Sequence, residues 1–283
     1  MKFKNIANIL LGSVLVFSGT NIIIKFVDYK QSDSLYEELY AEIEPLSTNG
    51  MQSSEEAPEV VDEYTKQKNN YASLKAKNED YVFWVSVDNT NINYPVVQTT
   101  NNSTYLKTGF NKKKSNSGTI FMDTLNNFMT DKNVVLYGHN MNNKTMFNNL
   151  NKFKEKSFFN KNNKIRIKNT NNGKVYTYEV FSVYHSDNNF DYNTVVFNEN
   201  YTFEKYLEDI KARSMYKNNV EVTPRDRIIT LSTCSYEFKG AKTSVHAKLV
   251  DVKNLNPNAL VTPDTTTNEE DNGFSIHDMI EYN

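Results

Sequence analysis

The 283-residue chain has a single cysteine, Cys234. One thiol forms no internal disulfide and supplies no cysteine zinc cluster, so stapled and zinc-ribbon architectures are excluded. That thiol is either core packing or a reactive group. A surplus of basic charge is also missing: 32 Lys and Arg stand against 34 Asp and Glu, a formal charge of −2. This leaves no field for tracking nucleic acid, and no nucleic-acid partner is expected. The sequence shows no internal repeat, no glycine-rich phosphate loop and no His or carboxylate cluster at metal-ligand spacing, so neither a metal nor a cofactor is expected.

Long apolar runs are scarce as well, and a mean hydropathy of −0.65 excludes a polytopic membrane protein. One run exists. Lys2 and Lys4 precede an uncharged stretch over 6–24, followed directly by Lys25. As a helix it is roughly 28 Å long, close to the ~30 Å hydrocarbon thickness of a bilayer. Residues 1–27 are therefore expected to form an uncleaved membrane anchor. A cleaved signal peptide is the competing reading, weakened because Ile22, Ile23 and Ile24 continue past the small residues Ser18, Gly19 and Thr20. Lysines before the span put the N-terminus in the cytoplasm and the rest of the chain outside.

Residues 28–70 are acidic and polar. Leu35, Leu39 and Ile43 recur at helical spacing before Pro45, and Ser53, Ser54, Glu55, Glu56 and Pro58 read as a spacer. A stalk with one short helix is expected here. After 254, Pro, Thr, Asn and acidic residues replace apolar alternation, which predicts a disordered polar tail over 254–283.

The folding unit is left at 71–253. Short β-branched and aromatic runs recur at 81–87, 93–98, 118–122, 133–137, 164–167, 175–184, 226–231 and 243–252, separated by Asn, Gly, Asp and Lys clusters. Helical patterns appear at 142–151 and at 201–215, where Phe203, Tyr206, Leu207 and Ile210 share one face. Eight strand-like runs with few helices and no βαβ rhythm predict a mainly β fold, a closed or nearly closed barrel.

Cys234 ends the run Ile228-Ile229-Thr230-Leu231-Ser232-Thr233, where a buried strand emerges into a loop. Free cysteine is commonly buried packing, so its position alone leaves the thiol undecided. His139 follows Leu136-Tyr137-Gly138 at another strand exit. A lone histidine is usually a satisfied polar group, yet a cysteine and a histidine at strand exits of one small barrel can form a nucleophile and its acid–base partner. Period-2 alternation puts Lys242, Ser244 and His246 on one face of the following strand. A cation there can stabilise a thiolate or an oxyanion. Arg225 and Arg227 are less suitable, since Arg227 lies about 23 Å along the strand from Cys234.

Taken in order, Tyr94-Pro95-Val96-Val97-Gln98, Gly118-Thr119-Ile120-Phe121-Met122-Asp123, Leu136-Tyr137-Gly138-His139-Asn140-Met141, Thr230-Leu231-Ser232-Thr233-Cys234 and Val245-His246-Ala247-Lys248-Leu249 resemble a class B sortase. The resemblance spans about 71–252. It implies an eight-stranded sortase-type β-barrel with short N-terminal helices and one helix inserted between late strands. The implied activity is that of a cell-surface cysteine transpeptidase, acting on secreted proteins that bear a C-terminal sorting motif. By this resemblance Cys234 attacks the threonine carbonyl of that motif, His139 protonates the departing amine, and a peptidoglycan peptide amine resolves the thioester. The family has an arginine where this chain has Lys242, which keeps the charge and loses the planar fork. Asn102, Leu106, Tyr137 and Ser232 match positions lining the family's peptide groove, against a plainer reading as loop polarity and barrel packing. Two rivals stay open at this point: an extracytoplasmic cysteine protease or amidase that releases product to water, and a non-catalytic adhesin or scaffold.

Overall fold

A computed structural model describes residues 2–44, 62–161, 163–186, 190–234 and 241–256, with the side chains of 2–13, 21 and 234 outside the description. The spacer expected around 53–58, the loop containing Gly240 and the expected tail beyond 256 lie outside the described residues.

Eight strands close a barrel in the order β1-β2-β3-β4-β7-β8-β6-β5. They are β1 (Tyr81–Val87), β2 (Asn93–Val97), β3 (Ile120–Met122), β4 (Asn133–Tyr137), β5 (Lys164–Lys168), β6 (Lys174–Ser186), β7 (Ile228–Cys234) and β8 (Lys242–Asn254). Two neighbouring pairs, β2 with β3 and β4 with β7, run parallel, and the remaining pairs are antiparallel. In β5 the sequence Lys-Ile-Arg-Ile-Lys alternates, and only Ile165 and Ile167 point into the core. Strand β1 departs from simple alternation: Phe83, Trp84 and Val85 are all buried. Trp84 satisfies its one polar atom by donating Nε1–H to Asn93 Oδ1 at 2.6 Å. Burying a side chain of this size contributes about 2–3 kcal/mol.

Helix α4 (Phe203–Arg213) lies between β6 and β7 in sequence, capped by Thr202, whose hydroxyl accepts from Lys205 N at 3.2 Å. Its face of Phe203, Tyr206, Leu207 and Ile210 joins Phe181, Tyr184, Val222 and Ile228 in a second apolar cluster. The helix expected over 142–151 is replaced by a loop and a 3-10 turn at Asn148–Lys154, because Asn140 and Met146 form an isolated β-bridge that closes this segment on itself; the one-turn helix α3 (Lys156–Phe159) follows.

The N-terminal segment forms one helix, α1 (Lys2–Ile43), with no proline or glycine between Gly19 and Pro45 to interrupt it. Val14, Leu15, Val16, Phe17, Ile22, Ile23, Ile24, Phe26 and Val27 are exposed. Further along, Tyr36, Leu39 and Ile43 are buried in the main core. That part of the expected stalk is thus seated on the barrel. Among the described residues no helix is long and apolar enough to cross a membrane. Much of the expected span, 6–13 and 21, has side chains outside the description. A shorter helix, α2 (Glu63–Lys77), is capped by Asp62, which accepts from Thr65 N at 3.0 Å.

Candidate active site

Parallel strands β4 and β7 leave the barrel at the same end. Their register pairs Leu136 with Leu231 and Tyr137 with Ser232, and Gly138 N continues the ladder by donating to Ser232 O at 3.1 Å. His139 and Cys234 each stand two residues beyond the Tyr137–Ser232 pair, on adjacent strands about 4.8 Å apart. Across the antiparallel β7–β8 ladder Cys234 is the register partner of Lys242, and residues directly opposite one another lie on one face of a sheet. The barrel brings together at one rim three residues that are 95 and 8 positions apart along the chain (139 to 234, 234 to 242).

Gly138 lets β4 exit where it does. A Cβ there would sit 2.4 Å from Ile120 Cδ1 and 2.7 Å from Phe147 Cγ, so any larger residue has to push aside the Ile120 side chain and the Phe147 ring packed against the strand end that presents the histidine. His139 is half-buried, with Nε2 2.7 Å from Leu106 O. A carbonyl oxygen only accepts, so Nε2 bears the hydrogen and Nδ1 is the ring nitrogen left for proton exchange. Phe147 N donates to His139 O at 2.9 Å and fixes the backbone on the other side.

The four expected groove residues fall into three settings. Leu106 is a partly exposed apolar side chain beside His139, whose ring its own carbonyl holds. Ser232 is buried and donates Oγ–H to Tyr192 Oη at 2.9 Å. Asn102 and Tyr137 meet on the buried carboxylate of Asp123, whose Oδ2 accepts from Asn102 Nδ2 at 2.9 Å and Tyr137 Oη at 2.8 Å. Asn102 Oδ1 also accepts from Thr124 N at 2.8 Å, and Asn193 Nδ2 donates to Tyr137 Oη at 2.8 Å. Burial first, and then the Asp123 charge, push the Tyr137 phenol far above its ordinary range, so it remains a hydrogen donor.

Asp123, Tyr192 and Asn193 are the members of this network that sequence reasoning passed over. Asp123 had a usable signal, a lone acid directly after an apolar strand. Tyr192 and Asn193 had none, lying in a stretch without periodicity between β6 and α4. His246, on the sequence pattern a neighbour of Lys242, is fully buried in β8 and engaged with Thr230 and Tyr184. Among the described residues no group of three or more His, Cys, Asp or Glu is arranged to hold a metal ion.

Comparison with known proteins identifies the family of the chain. A family model described as the Sortase domain matches residues 85–250. The chain is 33% identical over 252 residues to sortase B of Listeria monocytogenes, covering 87% of this chain and 96% of that protein. Among solved structures, the C232S mutant form of Clostridium perfringens sortase B superposes with a TM-score of 0.66 at 38% identity, covering 76% of this chain and 97% of that one. The Staphylococcus aureus sortase B–substrate complex superposes with a TM-score of 0.66 at 29% identity, covering 80% and 99%.

Proposed function

The chain belongs to the sortase family as a sortase B-type cysteine transpeptidase, and from that premise we propose that it anchors secreted proteins to the cell wall from the outer face of the membrane. Cys234 is the nucleophile. Its thiolate adds to the threonine carbonyl carbon of a C-terminal sorting signal, and the carbonyl π electrons move onto oxygen. Lys242, opposite Cys234 in the ladder, supplies positive charge for that oxyanion. Collapse breaks the C–N bond as His139 gives a proton to the departing amine, leaving a thioester. A peptidoglycan peptide amine then attacks the thioester, its proton passes to His139, and the thiolate leaves.

The observation supporting this reading most strongly is the β4–β7–β8 register, which sets His139 and Cys234 at one rim and Lys242 across from the cysteine. The reacting pair is a thiolate beside an imidazolium, formed when the Cys234 proton passes to His139. Asn102, Leu106, Tyr137 and Ser232 line the peptide groove in this reading, with Asp123 fixing two of them. The exposed apolar stretch of α1 is the membrane anchor.

The test is to incubate the full chain with candidate sorting peptides and an amine acceptor and to follow products by mass spectrometry. A thioester on Cys234 and an amine-linked product are expected. Release of the peptide to water alone, even at saturating amine, replaces the transpeptidase with a protease. Absence of any Cys234 adduct across the peptides overturns the catalytic reading.

A further inference from the structure

Helix α1 reaches the active site from below. Tyr36 is buried, and its hydroxyl donates to Gly118 O at 2.8 Å, with Thr119 Oγ1 at 3.3 Å. Burial pushes this phenol well up, so it stays protonated as a donor. Gly118 has a φ of +61°, and a Cβ on it would lie 2.4 Å from Tyr105 O and 3.0 Å from Leu106 O. The Gly118 backbone is thus packed directly beneath the Tyr105–Leu106 backbone, which is tied down further where Thr119 N donates to Tyr105 O at 3.0 Å. Leu106 O is the acceptor that holds His139 Nε2.

A second line of contacts reaches the histidine from the same tyrosine. The ring of Tyr36 meets Tyr94 edge-on, with centroids 5.2 Å apart and planes at 83°. Tyr94 Oη accepts from Met146 N at 3.0 Å. Met146 has a φ of +55°, an unusual conformation for a methionine, and it bridges Asn140. This is the loop that follows His139 directly. One side chain of α1 therefore supports both the carbonyl that the imidazole bonds and the loop that bears the imidazole.

We propose that Tyr36 is a positioning residue for His139: through Gly118 and Leu106 on one side and Tyr94 and Met146 on the other, the N-terminal helix sets the tautomer and direction of the acid–base imidazole. The proposal rests on the reading of His139 as the acid–base group. It gives α1 a role in the chemistry beyond tethering. A segment that also holds the protein at the membrane then matters for turnover, because small misplacements of a reacting group are expensive in rate.

Two substitutions on the same helix separate positioning from packing. Tyr36→Phe removes the hydroxyl and keeps the ring against Tyr94. Leu39→Ala opens the core one turn away, at a side chain that is 2% exposed. The full chain, labelled with 15N-histidine and held in detergent micelles, reports the His139 tautomer by nitrogen chemical shift, with His139→Gln providing the assignment. The expected wild-type state is Nε2–H. Tyr36→Phe is expected to give a mixed tautomer population and a kcat roughly tenfold lower, with KM within about twofold. Leu39→Ala is expected to lower the melting temperature and leave both the tautomer and kcat in place. An unchanged tautomer in Tyr36→Phe overturns the proposal, and so does an equal shift in both variants, which signals general loosening. If the wild-type chain forms no amine-linked product, the proposed function fails while the tautomer comparison still decides this one.

Discussion

His139 and His246 are separated by a single strand, β7, yet they occupy opposite physical settings. His139 sits past the end of β4, half-buried, with Nε2 donating to a backbone carbonyl and Nδ1 left for exchange. His246 sits mid-strand in β8 with no exposed surface, and both ring nitrogens are engaged. Its Nδ1 is 2.8 Å from Thr230 Oγ1 and its Nε2 is 3.0 Å from Tyr184 Oη. Thr230 spends its one proton on Asn133 Oδ1 at 2.8 Å, and Asn133 is oriented by donating Nδ2–H to Thr194 O at 2.9 Å. Thr230 can then only accept from His246, which fixes the Nδ1–H tautomer, the reverse of His139. Desolvation lowers the His246 pKa to about 3, so it is a neutral core group. A ring nitrogen with no partner among the described residues, together with access to solvent, distinguishes the residue that can move a proton from the residue that locks two strands together.

Removing the thiol or the accessible imidazole at the rim gives the largest separation. Cys234→Ala is expected to abolish thioester formation, and His139→Gln to lower kcat/KM by about 10²–10⁴-fold. The His139→Gln variant should unfold near the wild-type midpoint, since a half-buried side chain past a strand end empties no closed core. Peptide turnover paired with thermal unfolding checks this; a His139→Gln variant that keeps more than about a tenth of wild-type kcat/KM removes that residue from the acid–base role.

Acid sharpens the contrast from the other side. The folded-state pKa of His246 lies below the ordinary value of 6.5, so the unfolded chain takes up its proton first as pH falls. The stability contributed by the neutral ring is complete above about pH 6.5 and declines between there and about pH 3, by up to about 1.4 kcal/mol per pH unit. His246→Gln is expected to cost about 1–3 kcal/mol at pH 7.5, by leaving Thr230 or Tyr184 without its partner, and to flatten that acid slope. Urea unfolding of both proteins across pH 7.5 to 4 makes the measurement. Parallel slopes in the two proteins mean that His246 is not the group that titrates.

The smallest effect tests the cation beside the cysteine. Lys242→Arg restores the planar fork found in the resembling family and is expected to raise kcat by a few-fold. Equal or lower turnover means that the lysine is already suited to this rim.

The barrel was legible before the structure because its strands obey local rules. Alternation in 164–168, β-branched runs at 133–137 and 226–231, and the capped amphipathic face of 203–210 all report burial through spacing alone. The two strand exits could be read for the same reason, since apolar runs stop at Gly138 and at Cys234. Other features were not local. Tyr36 looks like one more aromatic in an acidic segment, and its place under Gly118, 82 residues away, depends on how α1 lies on the barrel. Asn102 and Tyr137 read as separate groove residues until both were found bonded to Asp123.

Residue types and their periods determined that this chain makes a β-barrel with a thiol and an imidazole at strand ends, because backbone propensity and hydrophobic spacing act over a few residues. Tertiary structure alone decided that β4 and β7 run parallel in a register that carries both residues to one rim. It also decided which nitrogen of each histidine bears the proton. Those outcomes depend on hydrogen-bond partners brought in from distant strands and loops, and partners of that kind leave no periodic trace in the sequence.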